Sequence, residues 1–228
     1  MKTVIIHGQA HQGSTAHIAQ MTAQKLGGEV KEFFLPKDFD KFCVGCCQCF
    51  ADEEKCPHRS QVVKITDELD EADVIILASP VYVYHVTGAM KAFLDHLGFR
   101  WMAHRPVGAM FKKQGVCITT AAGAGCKSTL KDMADSLFFW GVGRVYSFGI
   151  PVAATGWEQI SEKKLAKIER ATDKLAARIK NSHGRVVPSL KTKGMFMIMR
   201  MMHKKVMNPP DTQHWKKQGW LESQRPWK

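Results

Sequence analysis

The segment Val74-Ile75-Ile76-Leu77-Ala78-Ser79-Pro80 is the clearest indication of the fold of this chain. Its first five residues are apolar, and the Ser-Pro pair ends the run. A short, wholly apolar run of this kind predicts a strand that is buried on both faces. Strands of that type occur in parallel sheets that are covered by helices on each side.

On both sides of this run, short apolar segments alternate with segments of helical periodicity. We predict strands at 3–7, 29–35, 74–78, 116–119 and 145–150, and helices at 16–26, 62–69, 87–97 and 130–140. The spacing of Thr155 and Glu158 is that of a capping box and predicts the start of a last helix, which ends near Gly184. The alternation predicts an α/β fold with a parallel sheet and helices on both faces.

The composition agrees with a globular protein and limits its function class. The 228 residues are 45% hydrophobic and 24% charged, with a net charge of +12, which excludes a disordered or fibrous chain. We find no signal peptide and no apolar run long enough to span a membrane, so we expect a soluble, cytoplasmic protein. Seven cysteines in a cytoplasmic chain indicate metal, cluster or redox chemistry rather than structural disulfides.

Three loops follow predicted strands and are candidates for a ligand site, because parallel sheets bind ligands at the carboxyl ends of their strands. The loop Gly8–Thr15 precedes a helix, whose N-terminus can bind a phosphate; an ordinary helix cap is the alternative. The loop Ser79–Gly88 is aromatic and apolar, which favours the binding of a flat ligand. Packing of its aromatic side chains on a neighbouring subunit or on the core is the alternative. The loop Ala121–Gly125 has no large side chain, so its backbone can approach a planar ring, or it is a flexible turn.

Three motifs in these loops carry a family resemblance. They are Ser14-Thr15, then Ser79-Pro80-Val81-Tyr82 with Thr87-Gly88-x-Met90-Lys91-x-Phe93-Leu94-Asp95, and finally Ala122-Gly123-x-Gly125. With them, residues 1–150 resemble the flavodoxin-fold NAD(P)H-dependent FMN reductases and quinone reductases. One departure is clear: members of that family often begin the first loop Gly-Ser-x-Arg, whereas this chain has Gly8-Gln9-Ala10-His11. His11 can replace part of the lost phosphate contact when it is protonated.

The resemblance implies a three-layer fold with a five-stranded parallel sheet in the order 2-1-3-4-5. It implies FMN with its phosphate at the first loop and its ring between the second and third. The FMN-binding residues are then expected to be His11, Ser14, Thr15, Ala16, Pro80, Val81, Tyr82, Val83, Gly88, Thr120, Ala121, Ala122 and Gly123. Tyr82 and His85 are the catalytic candidates near the ring, although hydride transfer to a flavin requires no acid or base.

The implied reaction takes hydride from NAD(P)H and passes electrons to a quinone, a flavin or another small acceptor. The alternative is a non-enzymatic electron carrier that serves another redox protein; the basic charge argues against it, since typical flavodoxins are acidic. A third possibility is a basic binding module without FMN. The family resemblance also implies a homodimer or homotetramer.

A second motif is the cysteine series Cys43-x2-Cys46-x2-Cys49-x6-Cys56, with Cys47 as an additional thiol. Four thiolates at such short spacing can hold one [4Fe-4S] cluster, and the spacing resembles that of iron–sulfur flavoproteins. Zinc, a redox-switched disulfide and free thiols in a loop that shapes the flavin pocket are the alternatives.

The last segment differs from the rest of the chain. We divide the protein into a domain at 1–184 and a C-terminal extension at 185–228, which has ten Lys and Arg against two acidic residues and is rich in Met and Trp. We favour an extension that covers an apolar patch on a second subunit. A basic amphipathic helix on an anionic membrane is the alternative, and nucleic-acid binding is the least favoured.

Overall fold

The computed structural model describes residues 1–205 and 207–228, which form a five-stranded sheet and seven α-helices. The strands are β1 (Lys2–His7), β2 (Glu29–Phe34), β3 (Val74–Ala78), β4 (Gln114–Ala121) and β5 (Arg144–Pro151). The helices are α1 (Ser14–Leu26), α2 (Arg59–Glu71), α3 (Gly88–Asp95), α4 (Cys126–Phe139), α5 (Glu162–Ser182), α6 (Leu190–Lys205) and α7 (Pro209–Lys217). No helix in the described part of the chain is both long and apolar enough to cross a membrane.

The sheet is parallel throughout and its order is β2-β1-β3-β4-β5. This confirms the predicted fold class and strand order. All five residues of β3 are buried, as the apolar run at 74–78 predicts. The reversal of strand order beside β1 places the carboxyl ends of β1 and β3 next to each other, which is where such sheets form a ligand crevice.

Two apolar clusters cover the two faces of the sheet. On one face, Ile18 of α1 and Ile168 of α5 pack against Ile5 and Ile76. On the other face, α2, α3 and α4 contribute side chains that include Ile65, Phe93 and Leu137. The chain is therefore a three-layer sandwich, and both faces of its central strands are buried from solvent.

The capping-box prediction at Thr155 and Glu158 is wrong. Residues Trp157–Gln159 form a single 3-10 turn, and α5 starts at Glu162 with Ser161 at its N-cap position. The Thr155 hydroxyl contacts the Gln159 side chain at 2.7 Å instead of capping a helix. The next residue, Ile160, is buried in the core, so tertiary packing ends the short turn before an α-helix can continue from it.

The C-terminal extension folds back onto its own chain. Phe196 of α6 and Trp215 of α7 are fully buried and form a third apolar cluster with Phe111, Phe138 and Trp220. The extension thus covers an apolar patch of its own domain, while the outer face of α6 is exposed. The division at residue 184 stays a prediction.

Candidate cofactor site

A cleft of about 260 Å³ opens at the carboxyl ends of the strands. It lies where the topology predicts a ligand site, with walls from the loops after β1, β3 and β4. A fourth wall comes from Val152, Ala154 and Thr155 after β5, which sequence reasoning missed. The cleft therefore collects residues from four separate parts of the chain.

Most of the predicted FMN-binding residues meet in this cleft. Those that line it are His11, Ser14, Thr15, Ala16, Pro80, Val81, Tyr82, Thr120, Ala121 and Ala122. Val83, Gly88 and Gly123 are not among the lining residues. His85 is turned elsewhere: its Nδ1 lies 2.9 Å from Asp132 Oδ2, and both residues line a neighbouring cavity of about 390 Å³.

The first loop brings the N-terminus of α1 to the cleft. Gly13 is the N-cap residue and makes no side-chain cap, so Ser14 and Thr15 lie within the first turn rather than capping it. The first backbone N–H groups of a helix have no partner within the helix and carry partial positive charge. This end of α1 therefore offers donors for an anionic group.

A buried pair of hydroxyls joins the first and third loops. Thr15 Oγ1 and Thr120 Oγ1 lie 2.6 Å apart, and both side chains line the cleft. Thr87 joins the first and second loops, because its hydroxyl donates to the Gly8 carbonyl at 2.5 Å and accepts from the Met90 N–H. Any Cβ at Gly8 would meet Thr87 Oγ1 at 2.8 Å, so glycine is required at this crossing.

The second loop has strained backbone beside the cleft. Tyr82 and His85 pair across a tight turn, with the Tyr82 N–H donating to the His85 carbonyl at 2.9 Å. The two residues between them, Val83 and Tyr84, both have positive φ, at 48° and 67°. Bulky residues rarely adopt this conformation. The turn holds Tyr82 at the cleft, where its hydroxyl contacts the Gln9 side chain.

His7 is a further residue of the cleft that sequence reasoning missed. It is the last residue of β1, and its Nε2 lies 2.7 Å from Glu32 Oε2. Burial lowers the pKa of His7 below its ordinary value, although Glu32 raises it. The buried Nδ1 has no hydrogen-bond partner among the described residues. Its position at the carboxyl end of a strand was the available sequence signal.

The cysteines line a second cavity, of about 60 Å³, beside the end of α3. Its walls include the thiol residues Cys43, Cys46, Cys47, Cys49 and Cys56, together with Phe50, His58, His96 and Phe99. None of the seven cysteines forms a disulfide. Burial, together with the charges of Cys56, Cys43 and Cys46, raises the pKa of Cys49. Within the described residues, no three His, Cys, Asp or Glu side chains are arranged to hold a single metal ion.

The C-terminal extension holds this cysteine loop in place. Arg105 donates to the carbonyls of Cys49 and Phe50, the second at 2.8 Å. Asn208, just before α7, donates to the same Phe50 carbonyl at 3.0 Å. Arg105 also pairs with Asp211 of α7, which is fully buried. The loop is thus attached to α7 both directly and through Arg105.

Residues 1–155 match the family model described as NADPH-dependent FMN reductase. This chain belongs to that family. The membership confirms the predicted family and, with it, an oxidoreductase that depends on FMN and uses NAD(P)H as electron donor. The match ends at the loop after β5, so it covers every wall of the cleft and the whole cysteine series.

Relatives of this FMN reductase are similar over different lengths. An iron–sulfur flavoprotein of Archaeoglobus fulgidus is 28% identical over 97% of this chain and 100% of its own length. An FMN-dependent NADH:quinone oxidoreductase of Herminiimonas arsenicoxydans is 32% identical over 31% of this chain and 39% of its own. An NAD(P)H:quinone oxidoreductase structure from Methanothermobacter marburgensis superposes with a TM-score of 0.60 at 15% identity, over 77% of this chain and 96% of that one. This last likeness shows the fold alone.

Proposed function

We propose that this FMN reductase passes the electrons of NAD(P)H to a quinone or a similar small acceptor, and that its cysteine loop holds a [4Fe-4S] cluster. The observation that carries the first part is the cleft, in which residues from the loops after β1, β3 and β4 come together. Tyr82 stays the catalytic candidate that lines it. We further propose a homodimer or homotetramer, as the family resemblance implies, and a location in the cytoplasm.

The residues of the cleft fit FMN. The N-terminus of α1 supplies donors for the phosphate, and His11 lies in the same lining, where it can add a charge. The Nδ1 of His7 is a buried polar atom without a partner that a bound cofactor can satisfy, and the hydroxyls of the Thr15–Thr120 pair can each make a further hydrogen bond to it. Pro80 and Val81 form an apolar wall that suits a flat ring and excludes water.

Bound FMN supplies the hydride and single-electron chemistry, and the protein supplies position and environment. The N-terminus of α1 would hold the phosphate, and residues of the second and third loops would hold the ring. Tyr82, whose hydroxyl contacts the Gln9 side chain, would orient the ring and keep water out. Burial lowers the pKa of His7, although Glu32 raises it, so the cleft favours the neutral form of this side chain.

The cysteine loop fits an iron–sulfur cluster by the chemistry of its donors. The four thiols of the Cys43-x2-Cys46-x2-Cys49-x6-Cys56 series line one cavity, and such clusters are held by four thiolates. The similarity of the whole chain to an iron–sulfur flavoprotein supports the same assignment. The cluster would give the protein a one-electron centre in addition to its two-electron cofactor. The alternative role, an electron carrier, requires the same combination.

The experiment is anaerobic purification followed by FMN, iron and sulfide analysis and by a turnover assay with NADH or NADPH and a soluble quinone. We expect flavin absorption with quinone-dependent oxidation of the nicotinamide, and iron with acid-labile sulfide in about equal amounts. Cys56→Ser should lose the iron, whereas Cys47→Ser, the matched control in the same loop, should keep it. Flavin without turnover would favour the carrier, zinc without sulfide would overturn the cluster, and failure to bind FMN would overturn the proposal as a whole.

A further inference from the structure

The outer face of α6 presents an apolar stripe to solvent. Leu190, Met197 and Met201 are 87%, 37% and 57% exposed, and Ile198 and Met202 beside them are 47% and 43% exposed. Residues 190, 197 and 201 lie along one side of the helix, since they are spaced by seven and four positions. Clustered apolar exposure on this scale indicates a contact surface. We refer to this stripe and the lysines beside it as the α6 surface.

Packing within the chain accounts for the other side of α6 only. Phe196, Thr192 and His203 are buried, and Phe196 belongs to the third apolar cluster with Trp215. The helix is therefore anchored by its inner face and cannot turn its outer side inward without leaving that cluster. The apolar stripe is a fixed feature of the surface.

The charged residues of α6 itself are all basic. The sequence has no Asp or Glu between Asp173 and Asp211, whereas α6 contains Lys191, Lys193, Arg200, Lys204 and Lys205. Lys191, Lys204 and Lys205 are exposed, and none of the three forms an ion pair in the described part of the chain. By contrast, the exposed side of α5 carries acidic residues between its lysines, among them Glu169 and Asp173.

We propose that the α6 surface docks on an anionic lipid bilayer, with the helix lying in the plane of the interface. A bilayer offers apolar contact for the stripe and negative headgroups for the flanking lysines at the same time, as basic amphipathic helices require. A second copy fits less well, because a two-fold contact sets a surface against itself and would oppose lysines to lysines. Nucleic acid fits less well too, because Trp215 and Trp220 are buried rather than free to stack on bases.

The test is co-sedimentation of the full-length holoprotein with vesicles of phosphatidylcholine alone or with about one part phosphatidylglycerol to three. We expect binding to the anionic vesicles only. Replacing Lys204 and Lys205 with Gln should weaken it about 25-fold, since each lysine near such a surface is worth about fivefold. Met197→Gln with Met201→Gln should weaken it about tenfold. These positions are exposed, so flavin content and circular dichroism should be unchanged.

The matched control replaces Lys163 and Lys167 of α5 with Gln, which removes the same charge from a helix that carries acidic residues as well. This variant should bind like the wild type. Equal losses in both lysine variants, equal binding to neutral vesicles, or no binding at all would overturn the proposal. So would a self-association in sedimentation equilibrium that the Met197 and Met201 substitutions abolish, because that result would assign the α6 surface to a second copy.

Discussion

Arg105 Nη1 lies 2.7 Å from Asp211 Oδ1, across 106 residues of sequence. Asp211 is fully buried, and its second oxygen accepts from His104 Nδ1 at 2.8 Å. Burial opposes its charge, but these contacts and that of Asn208 outweigh burial and lower the pKa of Asp211. Because Arg105 also binds the carbonyls of Cys49 and Phe50, this single carboxylate couples α7 to the cysteine loop.

Asp211→Asn should destabilise the protein and loosen the cysteine loop. Removing one partner of a buried ion pair costs about 3 kcal/mol or more, which urea unfolding will measure. In protein freed of iron by a chelator, alkylation of Cys49, followed by mass spectrometry, should become faster, while the exposed Cys43 reacts at an unchanged rate. Asp173→Asn is the control, because its pair with Lys25 is exposed and is worth under about 1 kcal/mol. An unchanged Cys49 rate would show that Asp211 supports α7 alone.

Thr15→Val should weaken FMN binding about tenfold, because the cleft loses one member of a buried hydroxyl pair that a hydrogen bond to the cofactor would use. Fluorescence titration of the apoprotein measures this constant. Thr22→Val is the matched control on the same helix: Thr22 is also buried, but its hydroxyl donates to the Ile18 carbonyl at 2.8 Å. Equal effects of the two substitutions would assign the loss to α1 stability rather than to the cleft.

Gly125→Ala should displace the second loop and weaken FMN binding. Gly125 has a φ of +96°, and a Cβ there would lie 2.5 Å from Val81 Cγ1. Two controls separate the causes. Gly27→Ala adds positive-φ strain at +73° with nothing within 4 Å, so it should cost about 1 kcal/mol and leave FMN affinity unchanged. In Gly123→Ala the added Cβ meets open space, so this substitution should change neither the stability nor the FMN affinity. A weaker FMN affinity of Gly27→Ala would contradict the prediction.

Val83→Gly should stabilise the protein by up to about 1 kcal/mol, since glycine adopts positive φ without strain. Val83 is 92% exposed, so the substitution removes no core contact. Thermal unfolding measures the change. Val187→Gly is the control, because Val187 is 51% exposed and is not among the positive-φ residues; it should give no gain. A lower melting temperature for Val83→Gly would show that the turn is not strained in the free protein.

Stability should fall as the pH drops below about 6.5, the ordinary histidine pKa. Burial lowers the pKa of His7, His96, His203 and His214 in the folded protein. Below that pH, the unfolded chain therefore binds more protons than the folded chain does. The stability present at pH 7 is lost as the pH falls towards the pKa values of these histidines in the folded protein. Urea unfolding at pH 7.5 and 5.5 measures the loss of stability, and equal stability at the two pH values would contradict the prediction. His7→Gln should make the difference in stability between the two pH values smaller.

The amino-acid sequence was enough to predict the order and type of the elements up to β5, and the edge of the sheet at which the ligand cleft lies, whereas α6 and α7 were not predicted. A buried parallel strand has an apolar pattern of its own, so the run Val74–Ala78 could be recognised without its neighbours. The loops that follow such strands share one edge, so most of the predicted cleft residues are neighbours in space. The ends of the elements were predicted less accurately. The strand predicted at 116–119 is β4 at Gln114–Ala121, and the helix predicted at 62–69 is α2 at Arg59–Glu71, because backbone hydrogen bonding continues beyond the apolar residues of each pattern.

The contacts between residues that are distant in sequence became known from the folded structure. It brought the loop after β5 and His7 to the cleft, turned His85 towards Asp132, and ended the turn at Trp157–Gln159 before a helix could form. It also folded the extension back so that Asp211 reaches Arg105. Local periodicity carries no signal for such contacts. A carboxylate in a basic segment is predicted to be exposed from the sequence, because its burial depends on a partner that is distant in the chain.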